Sequence, residues 1–387
     1  RPNTLVWQVE SHALQLLHAG RTTTQPFDAL ILATGATDRV LPFPGWTLPG
    51  VYTLGAAQVA LKFQATLIGP RVVFAGTGPL LYLVAWQYAS HGGQVAAVLD
   101  SAPLSAKLRA APGMLSRPAV AAKGAYFLAR LKLMGIAVHG GATLLKAEGK
   151  GRVSSLTWQA GGNTVTTECD AIGFGHGLRS ETQLADLAGC EFEWSGIDQA
   201  WLPKRDDEGR SSVANVYLAG DGAGILGADA AELRGRLAAA AVLSDAGRRF
   251  DGFDPNAALQ QLQKWQRFRE TLELAFPFPH ERAAEIADDV MLCRCEAITA
   301  GDFRGVCGEF GARDLNRAKA YCRLGMGRCQ GRLCGPAAAE IMAERLGVSI
   351  DSVGRLRGQP PIKPVPVSAL AAPEAGVTEP HVMEPGS

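Results

Sequence analysis

Four cysteines constrain this chain more than any other residues. Cys293-Arg-Cys295 and Cys329-Gln-Gly-Arg-Leu-Cys334 form a C-x-C pair and a C-x₄-C pair, thirty-three residues apart. Two close thiol pairs that an intervening fold brings together can supply four sulfur ligands to one metal centre. Helix periodicity sorts the other thiols of the region. Thr299-Ala-Gly-Asp302 has a capping-box pattern and opens a helix to about Phe310, with Phe303, Val306 and Phe310 on one face and Cys307 beside them. A second helix, from about Arg313 to Leu324 and stopped at Gly325, carries Leu315, Ala318 and Cys322 on its apolar face. Cys307 and Cys322 therefore read as core, which leaves Cys293, Cys295, Cys329 and Cys334 as the ligand set. Cys334 precedes a helix over Ala337–Leu346, whose dipole favours a thiolate. Glycines 325, 327 and 331 let backbone N–H groups approach sulfur closely.

A [2Fe–2S] cluster gains negative charge on reduction. Arg313, Arg317, Lys319, Arg323, Arg328 and Arg332, set against the single acid Asp314, are expected to favour the reduced form. A four-cysteine zinc site is the structural alternative. Zinc knuckles commonly use C-x₂₋₄-C pairs, so the C-x-C pair is read in favour of iron.

The rest of the chain reads as α/β. With 387 residues, 47 % hydrophobic residues and 45 glycines, it accommodates two or three domains joined by tight strand-to-helix turns. A net charge of +1 gives no reason to expect nucleic acid or an anionic membrane as partner. No apolar run reaches the roughly 18 residues of a membrane span. Four of eight cysteines clustered in one region point to a metal in a reducing compartment, read as cytoplasmic.

Strand Val72–Ala75, turn Gly76-Thr77-Gly78, a helix from Pro79 to about His91 and strand Val95–Leu99 form a βαβ opening. Gly76 and Gly78 stand where a dinucleotide pyrophosphate would meet a helix N-terminus, and Asp100 where a ribose-binding acid belongs. Leu81 replaces the third small residue of that motif, so the occupant is left open between NAD(P), another nucleotide and none. Strand Val216–Ala219 ends in Gly220-Asp221, followed by Gly222, Gly224, Gly227 and a helix from about Ala228. Asp221 there could accept from a ribityl or ribose hydroxyl, or simply satisfy backbone N–H groups. The buried-strand run Ala29–Ala33, stopped by Thr34-Gly35, favours the flavin reading. Pro42–Gly50 reads as a crossing between domains, Cys169 and Cys190 as isolated and buried, and His176 as a loop residue that could face a cofactor.

The runs Ile31–Ala36, Pro42–Val51, Ala75–Leu81, Leu218–Asp221 and Gly325–Cys334 resemble the large flavoprotein subunits of heteromeric amino-acid and opine dehydrogenases. These include the A-type subunits of octopine/nopaline oxidases, the α-type subunits of D-hydroxyproline dehydrogenases and the B-type subunits of hydrogen cyanide synthases. The C-terminal module resembles the bacterioferritin-associated-ferredoxin-like [2Fe–2S] domain. The resemblance implies a two-dinucleotide-domain flavoprotein fold, with a first domain that begins partway through because the family's Gly-x-Gly-x-x-Gly unit for FAD is not seen. It implies a FAD-binding domain in two parts (1–45 and 191–252), a central NAD(P)-type domain (46–190) and a helical linker (253–288). A [2Fe–2S] domain (289–348) and a Pro-rich extended tail (349–387) complete it. It further implies Cys293, Cys295, Cys329 and Cys334 as cluster ligands, Thr34, Gly35, Gly220, Asp221 and Gly227 around FAD, and FMN at a subunit interface. A smaller flavin subunit, with or without a third small one, would oxidise a C–N bond and pass electrons through this chain to an acceptor. No catalytic residue is assigned here. The other readings are a stand-alone NAD(P)H-dependent flavin oxidoreductase and a non-catalytic metal-stabilised regulatory or scaffold subunit.

Overall fold

The structure, a computed structural model, describes residues 1–248 and 250–371. Three antiparallel strands open it: β1 (Thr4–Glu10), β2 (Ala13–His18) and β3 (Arg21–Pro26). After β4 (Leu30–Leu32) and β5 (Ala36–Asp38), the chain passes through residues 40–50 into β6 (Val51–Thr53) and α1 (Leu54–Gln64). The Pro/Gly-rich passage is covered rather than exposed. Val40, Leu41, Phe43 and Trp46 are buried in the main core, and Trp46 Nε1 donates to the Met291 carbonyl at 2.6 Å.

The βαβ expectation is met by β7 (Arg71–Thr77), α2 (Pro79–Ser90) and β8 (Gln94–Asp100). Two helices follow, α3 (Leu104–Met114) and α4 (Pro118–Leu133), then β9 (Val138–Gly140). A meander of β10 (Thr143–Glu148), β11 (Ser155–Ala160) and β12 (Asn163–Glu168) leads back to β13 (Ala171–His176). The central sheet has order β6-β13-β7-β8-β9 with every neighbouring pair parallel. Its strands are apolar at successive positions because both faces are covered: Val72, Val73, Phe74 and Ala75 are all fully buried. The strand order reverses beside β7, which places a ligand crevice at the ends of β7 and β13.

The chain then pairs β14 (Leu178–Ser180) with β5, passes a short helix α5 (Gln183–Leu187) and forms the hairpin β15 (Phe192–Ser195) and β16 (Ala200–Pro203). β17 (Val216–Leu218) lies parallel to β4 in register Leu30–Val216 to Leu32–Leu218. Only Leu32 of β4 is buried and Ile31 is exposed, so Ala29–Ala33 is not the fully buried strand its composition predicts. α6 (Ala228–Asp245) and α7 (Pro255–Ala275) follow.

The cysteine module joins β18 (Met291–Cys293) and β19 (Ile298–Thr299) to α8 (Ala300–Glu309), α9 (Leu315–Cys322) and α10 (Cys334–Leu346). The Thr299/Asp302 capping box is formed in both directions. Three expectations need correction. Phe310 is exposed and stacks on Tyr321, because α8 ends before it completes the apolar face. α9 ends at Arg323 in the left-handed conformation, so Leu324 and Gly325 already belong to the thiol loop. The proline-rich segment after residue 349 is docked. Leu356 packs on the main core and Ile362 is buried with its N–H donating to Trp7 O at 3.2 Å. α11 (Val367–Ala371) then lies on the opening meander, where Thr22 donates to Ala369 O at 3.1 Å. Residues 372–387 of the expected tail lie outside the described residues.

Candidate functional site

Parallel pairing of β4 with β17 brings their C-terminal ends together, so Thr34-Gly35 and Gly220-Asp221 stand side by side, joined by Ala219 N donating to Leu32 O at 2.9 Å. Gly220–Ala223 forms a 3₁₀ turn, and Gly227, at φ +92°, opens α6 with its N-terminus toward this strand end. Asp221 Oδ1 accepts from Leu226 N at 2.9 Å and Gly227 N at 3.2 Å. One carboxylate oxygen thus shapes the turn. The other accepts no hydrogen bond among the described residues. Thr34 Oγ1 donates to Glu181 O, and Glu181 N to Gly35 O at 2.9 Å.

Sequence reasoning missed what holds this turn. Arg234 is buried within α6 and donates to the carbonyls of Gly220, at 3.1 Å, and Gly224. Arg269 of α7 donates to Ile225 O at 3.0 Å. Burial draws the Arg234 guanidinium down to about 10. A cation buried on one face of an alanine-rich helix was the available signal.

The four predicted thiols lie in one neighbourhood, as pairwise neighbours. Cys334 lies beside Cys293 and Cys329, and Cys329 beside Cys295. The adjacent Cys334 thiol draws Cys293 down to about 6 and Cys329 down to about 5. Hydrogen bonding to both pushes Cys334 well up. Cys293 and Cys334 are buried, Cys329 is half-buried and Cys295 exposed. Among the described residues, no three His, Cys, Asp or Glu side chains converge on one metal-ion position. Gly327 lets the two cysteine loops approach closely, because a Cβ there would stand 2.2 Å from Cys295 Cβ. Cys307 is buried as expected. Cys322 is half-buried and donates to Ala318 O at 3.3 Å.

The expected excess of positive charge is partly neutralised. Arg323 pairs with Glu296 at 2.8 Å and Arg332 with Glu181 at 2.5 Å. Lys319 is buried and donates to Arg357 O at 3.2 Å. Arg179 of β14 adds a cation that the local sequence could not show: it lies near Cys329 and Cys334 and donates to Arg332 O at 3.4 Å.

The strand ends and the thiol loop are joined through Glu181. Its backbone holds Thr34 and Gly35, and its Oε2 holds Arg332, whose Nη1 donates to Cys329 O at 3.2 Å. Gln183 Nε2 adds a bond to Gln330 O at 2.6 Å.

The second predicted site lies around Gly76, Gly78 and Asp100. Gly76, at φ +125°, has no room for a Cβ, which would stand 1.7 Å from Gly175 O, so strand packing by itself requires glycine here. Gly78 caps α2 at φ +103°. Asp100 is fully buried. Its Oδ1 accepts from Thr77 Oγ1 at 3.1 Å and Ala102 N at 2.9 Å, and its Oδ2 from Tyr82 OH and Lys107 Nζ, the latter at 2.6 Å. A ribose at this strand end would have to displace Lys107 or Tyr82. A cavity of about 230 Å³ at the ends of β7 and β13 is lined by Gly76, Ser101, His176 and Arg282. The His176 Nδ1 there is buried with no hydrogen-bond partner among the described residues, and the ring meets Phe278.

Fold and sequence define an oxidoreductase with the α/β dinucleotide-binding architecture of flavoproteins. The chain belongs to the pyridine nucleotide-disulphide oxidoreductase family, whose profile matches residues 4–244; the sarcosine oxidase A3 domain profile matches residues 292–374. It is 37 % identical over 360 residues to the opine oxidase A subunit of Agrobacterium tumefaciens (strain Ach5), covering 91 % of this chain and 71 % of that protein. It is 34 % identical over 371 residues to the HcnB subunit of hydrogen cyanide synthase from Pseudomonas protegens, covering 91 % and 77 %. The L-proline dehydrogenase of P. horikoshii shares the fold, with a TM-score of 0.71 at 20 % identity over 95 % of this chain and 64 % of that one.

Proposed function

We propose that this chain is the electron-transferring subunit of a heteromeric flavin-dependent dehydrogenase or oxidase acting on the C–N bond of an amino acid, opine or hydroxyproline. The relatives named as opine oxidase and hydrogen cyanide synthase subunits support that class. The observation that carries it is the Glu181–Arg332 contact, because it sets a flavin-type strand end against a four-thiol loop in one hydrogen-bonded unit. A site for a two-electron carrier and one for a one-electron carrier, built into a shared scaffold, form a relay.

Thr34, Gly35, Gly220, Asp221 and Gly227 would hold FAD, and Cys293, Cys295, Cys329 and Cys334 a [2Fe–2S] cluster. When bound, FAD exchanges electrons singly or in pairs and the cluster one at a time. The residues fit both groups. Asp221 keeps one carboxylate oxygen open for a hydroxyl, and the α6 N-terminus directs positive charge at the same place. The C-x-C spacing of Cys293 and Cys295 is read in favour of two irons over a single tetrahedral zinc. Arg179 and Arg332 place positive charge beside Cys329 and Cys334, which favours added negative charge there. Asp100, held by Lys107 and Tyr82, weighs against a stand-alone NAD(P)H reductase. Substrate oxidation falls to a smaller flavin subunit, with FMN at the interface, in the reducing cytoplasm that free thiolates require.

Co-expression with a smaller flavin subunit tests this. The complex should reduce a dye when given an amino or imino acid, and neither component by itself should. Dye reduction by this chain with NADH alone would overturn it.

A further inference from the structure

The net charge of +1 conceals a one-sided distribution. Ser101–Ala147 contains seven lysines and arginines and no aspartate or glutamate, which leaves the remainder of the chain net acidic. Most of this stretch forms α3 and α4. α3 buries Ala106 and Ala110, and its opposite face carries Leu104 and Leu108, with Leu115 in line just beyond its end, at 68, 65 and 75 % exposed. α4 buries Phe127 and Leu131 and turns out Tyr126 and Leu133, 49 and 79 % exposed, on the face that also carries Ala122 and Ala129. By helical spacing, Lys123 and Arg130 flank that apolar stripe on one side and Lys132 on the other.

Three cations of the stretch are engaged, Lys107 by Asp100, Arg117 by the Trp265 ring at 3.6 Å and Lys146 by Glu148 at 2.7 Å. Arg109, Lys123, Arg130 and Lys132 are exposed and join no ion pair among the described residues. Exposed leucines at helical spacing, flanked by unpaired cations on consecutive helices, have the composition of segments that lie in a lipid headgroup layer. Such segments sink apolar side chains below the phosphates and let Lys and Arg reach back up to them. No described helix is long and apolar enough to cross a membrane, so the contact would be peripheral. The leucines stand on outer helix faces and line none of the cavities beside the strand ends, which favours a bilayer over a peptide seated in a groove.

We propose that α3 and α4 dock this protein on an anionic lipid bilayer. The complementarity rests on local charge, so the expectation drawn from net charge is revised. The inference is independent of the proposed substrate and of the cofactors.

Flotation with vesicles of phosphatidylcholine, with and without about one-third phosphatidylglycerol, tests it. The full chain should bind the anionic vesicles at least about tenfold more than the neutral ones at low salt and lose that preference as salt screens the charges. Replacing Arg109, Lys123, Arg130 and Lys132 together by Gln should remove about tenfold of the binding; Lys150→Gln with Lys264→Gln should not. Amine labelling guards against a variant that misfolds: anionic vesicles should shield Lys123 and Lys132 in the unaltered protein and leave Lys150 reactive. Equal binding to neutral vesicles, no binding, equal loss in the control variant, or shielding supplied only by an acidic partner protein would each overturn the proposal.

Discussion

Glu181 and Arg332, 151 positions apart in sequence, form a largely buried ion pair at 2.5 Å. Glu181 also holds Thr34 and Gly35 through its backbone, and Arg332 holds the Cys329 carbonyl. Two local turns, each unremarkable in isolation, are thereby fixed in one frame.

Glu181→Gln should leave Arg332 buried with a weaker partner and cost about 3 kcal/mol in urea unfolding, as should Arg332→Met. The double variant should cost clearly less than the sum. Additive losses would show that the pair does not couple the two loops.

Gly327→Ala forces a Cβ against Cys295 Cβ, so metal bound per chain should fall at least about tenfold while the fold, monitored by circular dichroism, survives. Gly305→Ala in α8 is the contrast: nothing lies within 4 Å of its Cβ, and helix propensity should stabilise the protein by about 0.5–1 kcal/mol. Full metal loading of the Gly327 variant would refute the close approach.

Burial, with Arg39 and Arg282 nearby, draws His176 down to about 4. In the unfolded chain histidine titrates near about 6.5, so between those pH values the unfolded chain binds a proton that the folded one does not. Stability should therefore fall as pH drops through this window, by about 1.4 kcal/mol per unit and about 3 kcal/mol in all. It should be unaffected above the window. His176→Phe should remove that component, and an unchanged pH slope in the variant would contradict the assignment.

Asp100→Asn should cost about 3 kcal/mol because it strips Lys107 of its counter-ion in a buried setting. Addition of NADH to the unaltered protein should leave its melting temperature unchanged. A rise of several degrees would show that a nucleotide does displace Lys107.

The βαβ unit was legible because β7 and β8 are apolar on both faces and Gly76, Gly78 and Pro79 punctuate them within a short window. The thiol set was legible because periodicity placed Cys307 on the buried face of α8. What was not legible came from distant residues. Arg179 and Glu181 approach the thiol loop only through the β5–β14 pairing, and Arg234 closes the Gly220 turn from inside a helix. Counting charges along residues 313–332 overstated their excess for the same reason, since Glu181 and Glu296 come from elsewhere. For residues 42–50, proline and glycine mark the crossing without saying that it is covered, and the burial of Phe43 and Trp46 comes from the fold.

If the four-cysteine module carries a one-electron centre, low-temperature EPR of the anaerobically purified chain after dithionite should show a signal integrating to about one spin, and metal analysis of the same sample about two irons per chain. An EPR-silent sample holding about one zinc per chain would contradict it.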